Sequence, residues 1–249
     1  MPFKIMGMYF GINLFKNIKD TDAFTVVKSS VDALLKSECR YKTVTVSTIE
    51  DTTVSYRHFR YQQEVTKQDL KKAIFLASRD IANWQKNPTL YNRLPLVDVN
   101  FEASFRFTKR ALSKLTDEEI REYKRVSLFF WVRKNDLFGE YVNISVSCND
   151  YLVLCCGQEK HHIHNEKILM NIITNLVQNL NPYYGWADGE MNSADGQFRL
   201  IGTDYWNIRN AVVVVGKPLD RMVPEFPKKV YKKLDNGCVI YHAGGRLGS

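Results

Sequence analysis

The sequence predicts an α+β fold in which mainly antiparallel sheet is packed by helices. Segments with strand periodicity come as consecutive hairpin pairs, whereas a doubly wound parallel sheet would need a helix after each strand. Amphipathic helices occur in both halves, and the 249 residues are 45% hydrophobic and 25% charged, as in ordinary globular proteins. We therefore expect residues 1–249 to form a single domain, with an arrangement of two similar halves left open.

In the first half, helices alternate with hairpin strands. Residues 22–37 carry apolar side chains at helical spacing, Phe24 among them, and should form a helix with one stripe facing a core. Residues 44–60 alternate between apolar and polar side chains on either side of a turn, which indicates a hairpin. A second helix is expected over residues 66–84. The proline-containing segment 87–97 is the best candidate for a subdivision of the chain.

A long strand comes next. Apolar residues alternate with polar ones over residues 99–107, and residues 116–119 have the Thr-x-x-Glu spacing of a capping box for a short helix. Two strands, 126–133 and 141–148, are joined by a turn that contains glycine. Residues 151–156 add a short apolar strand.

The remaining elements are predicted from one apolar stripe and two apolar runs. A helix is expected over residues 165–180, where an Asn-Pro pair ends it. The segment 183–205 is rich in glycine, aromatic and acidic residues and is too irregular for a regular element. Residues 211–215 form a β-branched run that suits a buried strand. A lysine-rich helix over 225–234 and a strand over 238–241 complete the prediction.

Neither export nor membrane insertion is predicted. The apolar stretch 5–15 is interrupted by glycine, is too short to span a bilayer and lacks a cleavage site, so it is interpreted as a strand plus a loop. The five cysteines are an odd number without a spaced framework, and we expect them to be reduced core residues. A cytoplasmic location follows, and the oligomeric state stays open.

The formal charge of +8 favours an acidic partner, because opposite charges accelerate encounter. Residues 56–61 interleave aromatic and basic side chains, a pattern with which a sheet can stack bases and meet phosphates. The alternative is an edge strand whose arginines discourage aggregation. A second basic concentration, which could equally be a solvated face, comprises Lys217, Arg221, Lys228, Lys229, Lys232, Lys233 and Arg246.

One group of residue types could hold a metal: Cys155, Cys156, His161, His162 and His164. Adjacent cysteines on a strand point to opposite faces, so at most one of the two thiols can face any given site. The preferred interpretation is a strand end followed by a polar loop, with no metal. The apolar neighbours also argue against a nucleophilic cysteine, since burial keeps a thiol neutral.

Acidic and aromatic residues share the irregular segment after residue 182. The carboxylates of Asp188, Glu190, Asp195 and Asp204 could bind a cation, but their spacing matches no calcium loop and a solvated loop is expected. Aromatic residues next to glycine are typical of binding surfaces. The alternative is that Tyr184 and Trp186 lie over the sheet and cover the core.

Motifs of the common enzyme classes do not occur in the sequence. There is no P-loop, no dinucleotide-binding G-x-G-x-x-G, no G-x-S-x-G and no H-E-x-x-H. We therefore predict no catalytic residue, no metal and no cofactor. An enzyme with an unrecognised site that uses His161, His162, Asp188 or Glu190 is the alternative.

The layout of residues 125–245 resembles that of bacterial polymorphic-toxin immunity proteins, especially those associated with type VI secretion. The resemblance rests on a hairpin over 126–148, a helix that ends in Asn-Pro, the Tyr-Gly-Trp-Ala-Asp stretch at 184–188, Tyr-Trp-Asn at 205–207 before a buried strand, and a closing segment at 234–241. It implies an α+β protein that neutralises a toxin without catalysis, by covering its active site. It also implies partner contacts at Tyr183, Tyr184, Trp186, Asp188, Glu190, Tyr205 and Trp206.

The function predicted from the sequence is therefore that of a cytoplasmic binding protein that inhibits a protein partner stoichiometrically. A nucleic-acid-binding accessory protein that uses residues 56–61 and the C-terminal lysines is the alternative from a different class.

Overall fold

The computed structural model describes residues 9–17, 22–49, 56–60, 67–86, 97–107, 109–135, 139–149, 159–188, 212–217 and 229–242. These residues form ten strands and five helices. In chain order they are β1 (Tyr9–Asn17), α1 (Ala23–Lys36), β2 (Cys39–Ile49), β3 (Tyr56–Arg60), α2 (Lys67–Lys86), β4 (Val97–Ala103), α3 (Lys109–Leu112), α4 (Asp117–Tyr123), β5 (Arg125–Asn135), β6 (Gly139–Asn149), α5 (Glu159–Leu180), β7 (Tyr184–Asp188), β8 (Val212–Val215), β9 (Lys229–Lys233) and β10 (Val239–His242).

All ten described strands belong to one sheet, in the order β3-β2-β4-β5-β6-β1-β7-β8-β10-β9. Every pair of neighbouring strands runs antiparallel. The predicted α+β class with mainly antiparallel sheet is confirmed. Strand β1 lies inside the sheet, between β6 and β7, so both of its partners come from the second half of the chain.

The three long helices each connect two strands that run in the same direction. Helix α1 links β1 to β2, α2 links β3 to β4 and α5 links β6 to β7. The two strands of each pair lie an even number of positions apart in the antiparallel sheet, so they run in the same direction, with at least one strand between them. Such crossovers are almost always right-handed, which places all three helices on the same face. In agreement, α1 packs against both α2 and α5.

The main core lies between this helical layer and the sheet. Alternate residues of the central strands enter it, such as Leu128, Phe130 and Val132 of β5, which are fully buried. The inward residues predicted for α2 (Leu70, Ile74, Ala77 and Ile81) are all buried, as are those predicted for α5 (Ile168, Leu169, Ile172, Ile173, Leu176 and Val177). The predicted β-branched strand is β8, and its four valines are buried.

Helix ends follow the expected chemistry where the structure describes them. Asp22 caps α1, with its Oδ1 accepting a hydrogen bond from the Thr25 amide at 2.9 Å. Thr116 and Glu119 form the predicted capping box of α4: the Glu119 amide donates to Thr116 Oγ1 at 3.2 Å, and the Thr116 amide donates to Glu119 Oε2 at 2.7 Å. Helix α5 ends at Leu180, and the φ of 47° at the next residue, Asn181, stops the helical path.

Several sequence predictions were wrong. Phe24 is 48% exposed rather than inward, because Ala23, Val26 and Val27 occupy the packed face of α1. Residues 184–188, predicted to be irregular, are strand β7, because β1 and β8 provide hydrogen-bonding partners on both sides. The predicted lysine-rich helix 225–234 is strand β9 over Lys229–Lys233, where pairing with β10 overrides helical propensity.

Other predictions fall outside the described residues, including the loop over 87–95, the strand over 151–156 and the Thr66 cap. The boundary near 87–97 and the single-domain assignment stay predictions. None of the described helices combines the length and the apolar character that crossing a bilayer requires.

Gly216 fixes the end of β8 against the start of β7. Its amide donates to the Tyr183 carbonyl at 2.8 Å, and a Cβ at this position would lie 2.0 Å from the Pro182 carbonyl oxygen and 2.8 Å from that of Tyr183. Both obstacles are backbone atoms, so side-chain movement cannot relieve the clash. Gly237, in contrast, has a φ of 86° in the turn before β10, and a Cβ there would meet only side-chain atoms of Lys217.

We predict that Gly216→Ala destabilises the protein more than Gly237→Ala, measured as the urea concentration at half-unfolding. The first change forces the backbone apart, whereas the second costs about 1–2 kcal/mol for a left-handed non-glycine residue. Gly237→Asn, which tolerates that conformation better, should lose least. Equal losses for the two alanine variants would contradict the close approach at Gly216.

Candidate functional site

The face of the sheet opposite the helical layer, here called the second face, carries the candidate site. Side chains alternate along a strand, so the residues between the core positions of β5 and β6 point to this face. On β6 they are Tyr141, Asn143, Ser145 and Ser147, all buried. On β5, Phe129 and Trp131 lie directly beside Ser145 and Asn143 and are half-buried.

Asn143 and Ser145 form the centre of the site. Both have 0% of their surface exposed, and within the part of the chain that the structure describes neither the Asn143 carboxamide oxygen, its nitrogen nor the Ser145 hydroxyl has a hydrogen-bond partner. A buried polar group without a partner costs about 1–3 kcal/mol. We call Asn143, Ser145 and Ser147 the polar strip.

Two pairs of aromatic residues flank the polar strip. Phe129 and Trp131 of β5 stack with their ring centroids 6.1 Å apart. On the far side of β1, Tyr184 and Trp186 of β7 alternate on the same face, since β1 pairs Phe15 with both Asn143 and Tyr184. The register therefore places the polar strip between two aromatic pairs on the same face of the sheet.

The β7 side of the site is tightly packed. Trp186 is 1% exposed and contacts Tyr141, with Tyr184 packed against both. Burial raises the pKa of the Tyr184 hydroxyl, so this phenol stays protonated. Neither the Tyr184 phenol nor the Trp186 indole is charged at neutral pH.

Polar groups at the β4 end of the same face are hydrogen-bonded, unlike the side chains of Asn143 and Ser145. Asn100 Oδ1 accepts hydrogen bonds from Arg125 Nε and from Ser127 Oγ, the latter at 3.2 Å. Arg125 also pairs with Glu122 at 3.4 Å. Asn100 and Asn143 thus face the same way on the same sheet, and among the residues that the structure describes Asn100 has hydrogen-bond partners whereas Asn143 has none.

The structure brings together part of the predicted partner surface. Tyr184, Trp186 and Asp188 alternate along β7, and β1 pairs their positions with those of Phe15, Asn13 and Gly11, which in turn pair with Asn143, Ser145 and Ser147. Tyr183 is half-buried at the start of this strand. Trp186 is buried against Tyr141 in a small cluster on the second face, separate from the main core. Glu190, Tyr205 and Trp206 lie outside the described residues, and the assignment of all seven to an interface stays a prediction.

The candidate metal ligands are only partly described. His161, His162 and His164 lie within α5, which begins at Glu159 rather than near residue 165, and not in a loop. Cys155 and Cys156 lie outside the described residues. Across the described part of the chain, no three His, Cys, Asp or Glu residues come together as a metal site would require.

Cys39 and Cys238 are both buried and carry free thiols. Burial raises the pKa of Cys39 to about 12 and that of Cys238 to about 11. Both thiols are therefore neutral at physiological pH and are poor nucleophiles.

The two basic segments proposed for nucleic-acid binding lie at opposite edges of the sheet. Strand β3 (Tyr56–Arg60) is the first strand and β9 (Lys229–Lys233) is the last. Nine strand spacings separate them, or about 43 Å along the sheet. They therefore do not lie side by side on it.

Sequence reasoning missed the polar strip and the Phe129–Trp131 pair. The signal was present in the alternation Asn-x-Ser-x-Ser at 143–147, in which polar residues interrupt an otherwise apolar strand at every second position. A strand with one solvated face gives the same pattern. Only the burial of these side chains distinguishes the two cases.

Comparisons with known proteins assign no family. No family model matches the chain, and no curated protein matches it. Among solved structures, a Pseudomonas aeruginosa T6SS protein aligns with 98% of this chain and 72% of its own chain, at 9% identity and a TM-score of 0.40. A likeness at this level carries no argument about fold or function.

We predict that removing the unpartnered polar atoms stabilises the free chain. Asn143→Leu keeps the side-chain branching and Ser145→Ala removes one oxygen, so each should raise the free energy of unfolding by about 1 kcal/mol, read from urea denaturation. The matched control is Asn100→Leu, which removes one acceptor from Arg125 and one from Ser127 and should lower the free energy of unfolding by about 1–3 kcal/mol. Loss of stability in Asn143→Leu would show that its amide is satisfied in solution.

We also predict that stability falls as pH rises above about 9, the ordinary pKa of a thiol here. In that range the unfolded chain loses the Cys39 proton, while the folded chain keeps it until its raised pKa of about 12. The contribution of the neutral Cys39 thiol to the free energy of unfolding is thus fully present below pH 9 and is lost as the pH rises through the folded-state pKa of about 12. Urea unfolding of wild type and Cys39→Ala between pH 7.5 and 10.5 measures this, and the variant should show the shallower decline. Parallel curves would place Cys39 in a solvated setting.

Proposed function

We propose that this chain is a non-catalytic binding protein that inhibits a protein partner stoichiometrically, in the manner of toxin immunity proteins, and that the partner docks on the second face of the sheet. The observation that supports this most directly is the stacked pair Phe129 and Trp131, whose half-buried rings lie on this face beside Ser145 and Asn143. Protein interfaces favour such aromatic anchors.

The chemistry of the face favours binding over catalysis. The two described thiols are buried, and the described side chains at the centre of the face are amides, hydroxyls and aromatic rings. None of these is an ionised acid or base at neutral pH. Such groups recognise a surface by shape and hydrogen bonding.

Affinity capture tests the proposal. The tagged chain is incubated with an extract of its source cells at near-physiological salt, and bound protein and nucleic acid are quantified. We expect a stoichiometric protein partner that stops growth when expressed alone and is harmless when co-expressed with this chain. Nucleic acid that elutes steadily with rising salt, without a protein partner, would instead establish the alternative function.

Variants locate the surface. The double variant Phe129→Ala, Trp131→Ala should weaken partner binding by about tenfold or more, since aromatic anchors dominate interface energies. Phe75→Ala is the matched control, because Phe75 is an aromatic residue of α2 that is 60% exposed on the helical layer. Circular dichroism verifies that both variants are folded. Equal weakening by the control, or no weakening by the double variant, would move the interface elsewhere.

A further inference from the structure

The outward face of helix α2 is positively charged. Over residues 70–86 the exposed side chains are four cations, one phenylalanine and one asparagine: Lys71, Lys72, Phe75, Arg79, Asn83 and Lys86. At about 100° of rotation per residue, these six positions fall within an arc of about 120° on one side of the helix. The one acidic residue of the same stretch, Asp80, is buried. This arc therefore presents cations to solvent without an exposed acid beside them on the helix.

An aromatic side chain lies in the middle of this basic face. Phe75 is 60% exposed, more than any other large hydrophobic side chain in the part of the chain that the structure describes. Helical spacing puts Lys71 and Lys72 one turn before it and Arg79 one turn after it. The basic face thus offers an apolar contact together with its charges, which is the combination that anchors a partner at an interface.

The cations recur at heptad spacing. Lys72, Arg79 and Lys86 are seven residues apart, or about 10.5 Å along the helix axis, and Phe75 and Ala82 lie between them. Together these five residues, here called the α2 seam, are separated by alternating steps of three and four positions. Steps of three and four are the spacing through which one helix packs against another. The α2 seam faces away from the core, so a second helix can pack along it.

The charges of the α2 seam are accessible to a partner. Lys72 and Lys86 are exposed. Arg79 Nε donates to Asp80 Oδ1 at 3.1 Å, and 52% of the arginine side chain is still exposed. Because a guanidinium carries five N–H donors, Arg79 can pair with a second carboxylate as well.

The spacing favours an acidic helix over nucleic acid. A helix with a carboxylate at every seventh position brings one acid to each cation of the α2 seam, and apolar residues between the acids meet Phe75 and Ala82. A nucleic-acid strand carries a phosphate about every 3.4 Å along the duplex axis, so cations about 10.5 Å apart leave most phosphates unpaired. It also offers no apolar row that matches the two intervening side chains.

We propose that the α2 seam binds an acidic amphipathic helix of a protein partner, with carboxylates at every seventh position and apolar residues between them. Helix α2 packs on the opposite side of the sheet from the second face, so this ligand is separate from the partner that docks there. The inference therefore does not rest on the proposed function. Recognition depends on exposed charges, so added salt weakens binding.

Synthetic helices test the α2 seam. The seam probe is three repeats of Glu-Ala-Gln-Ala-Leu-Ala-Gln with both ends blocked, which places glutamate and leucine on one face. The matched control probe is three repeats of Gln-Ala-Glu-Ala-Leu-Ala-Gln, which has the same composition and charge but puts the glutamates on the opposite face from the leucines. Each is titrated into the full ¹⁵N-labelled chain, with chemical-shift changes followed at the backbone amides of α2. We expect the seam probe to bind at least about tenfold more tightly than the control probe, and to lose at least about threefold in affinity between about 50 and about 500 mM NaCl.

Variants of the chain locate the binding surface. The double variant Lys72→Glu, Lys86→Glu should lose at least about tenfold in affinity for the seam probe, and Phe75→Ala at least about threefold. The matched control is Lys232→Glu, Lys233→Glu, which changes the net charge equally on exposed residues of β9 and should lose less than about threefold. Strand β9 lies six positions from β5, the nearer of the strands that α2 contacts, or about 28 Å along the sheet. Circular dichroism verifies that all three variants are folded.

Four results would each overturn the inference: equal binding of the two probes, full binding by the α2 double variant, an equal loss in the β9 control, or full binding by Phe75→Ala. Duplex DNA of about 15 base pairs is titrated in parallel, and DNA that binds more tightly than the seam probe would also overturn it. Because the probes have defined sequences, these outcomes do not depend on whether an inhibited partner is captured, and capture of such a partner tests the second face alone.

Discussion

The pairing of β1 with both β6 and β7 is the constraint on which the rest of the structure depends. Nine residues of β1 pair with β6 and five with β7, so this strand is what joins β7, β8, β10 and β9 to the remainder of the sheet. The same strand leads into α1, which crosses to β2 and packs between the other two long helices. Contacts between residues far apart in the chain thus hold both layers together.

That central position also explains the setting of the candidate site. A strand in the middle of a sheet has its backbone groups paired on both sides, so only its side chains are left to contact other groups, on one face or the other. β6 lies beside β1, and its core-facing residues Val142, Ile144 and Val146 pack under the helices while the alternate residues form the polar strip. Polar groups left without partners in such a position lower stability, and natural proteins accept that cost mainly where the groups have a function.

The basic character of the chain has an explanation that does not involve nucleic acid. The two outermost strands of the described sheet are rich in cationic residues: β3 has two arginines and β9 has three lysines. Lys232 and Lys233 of β9 are exposed. Unpaired edges invite other strands to join, and charged side chains discourage this.

The sequence by itself determined the local elements and the class. Periodicity identified the long helices, the hairpins, the valine strand and the Thr116 capping box, because these depend on neighbours within a few residues. It also singled out Tyr184 and Trp186 as unusual. Only the tertiary structure decided that residues 184–188 and 229–233 are strands, because their hydrogen-bonding partners are distant in the chain. Likewise, the alternation on β6 predicts a solvated second face, and only the packing reveals that Asn143 and Ser145 are buried, with no hydrogen-bond partner among the described residues.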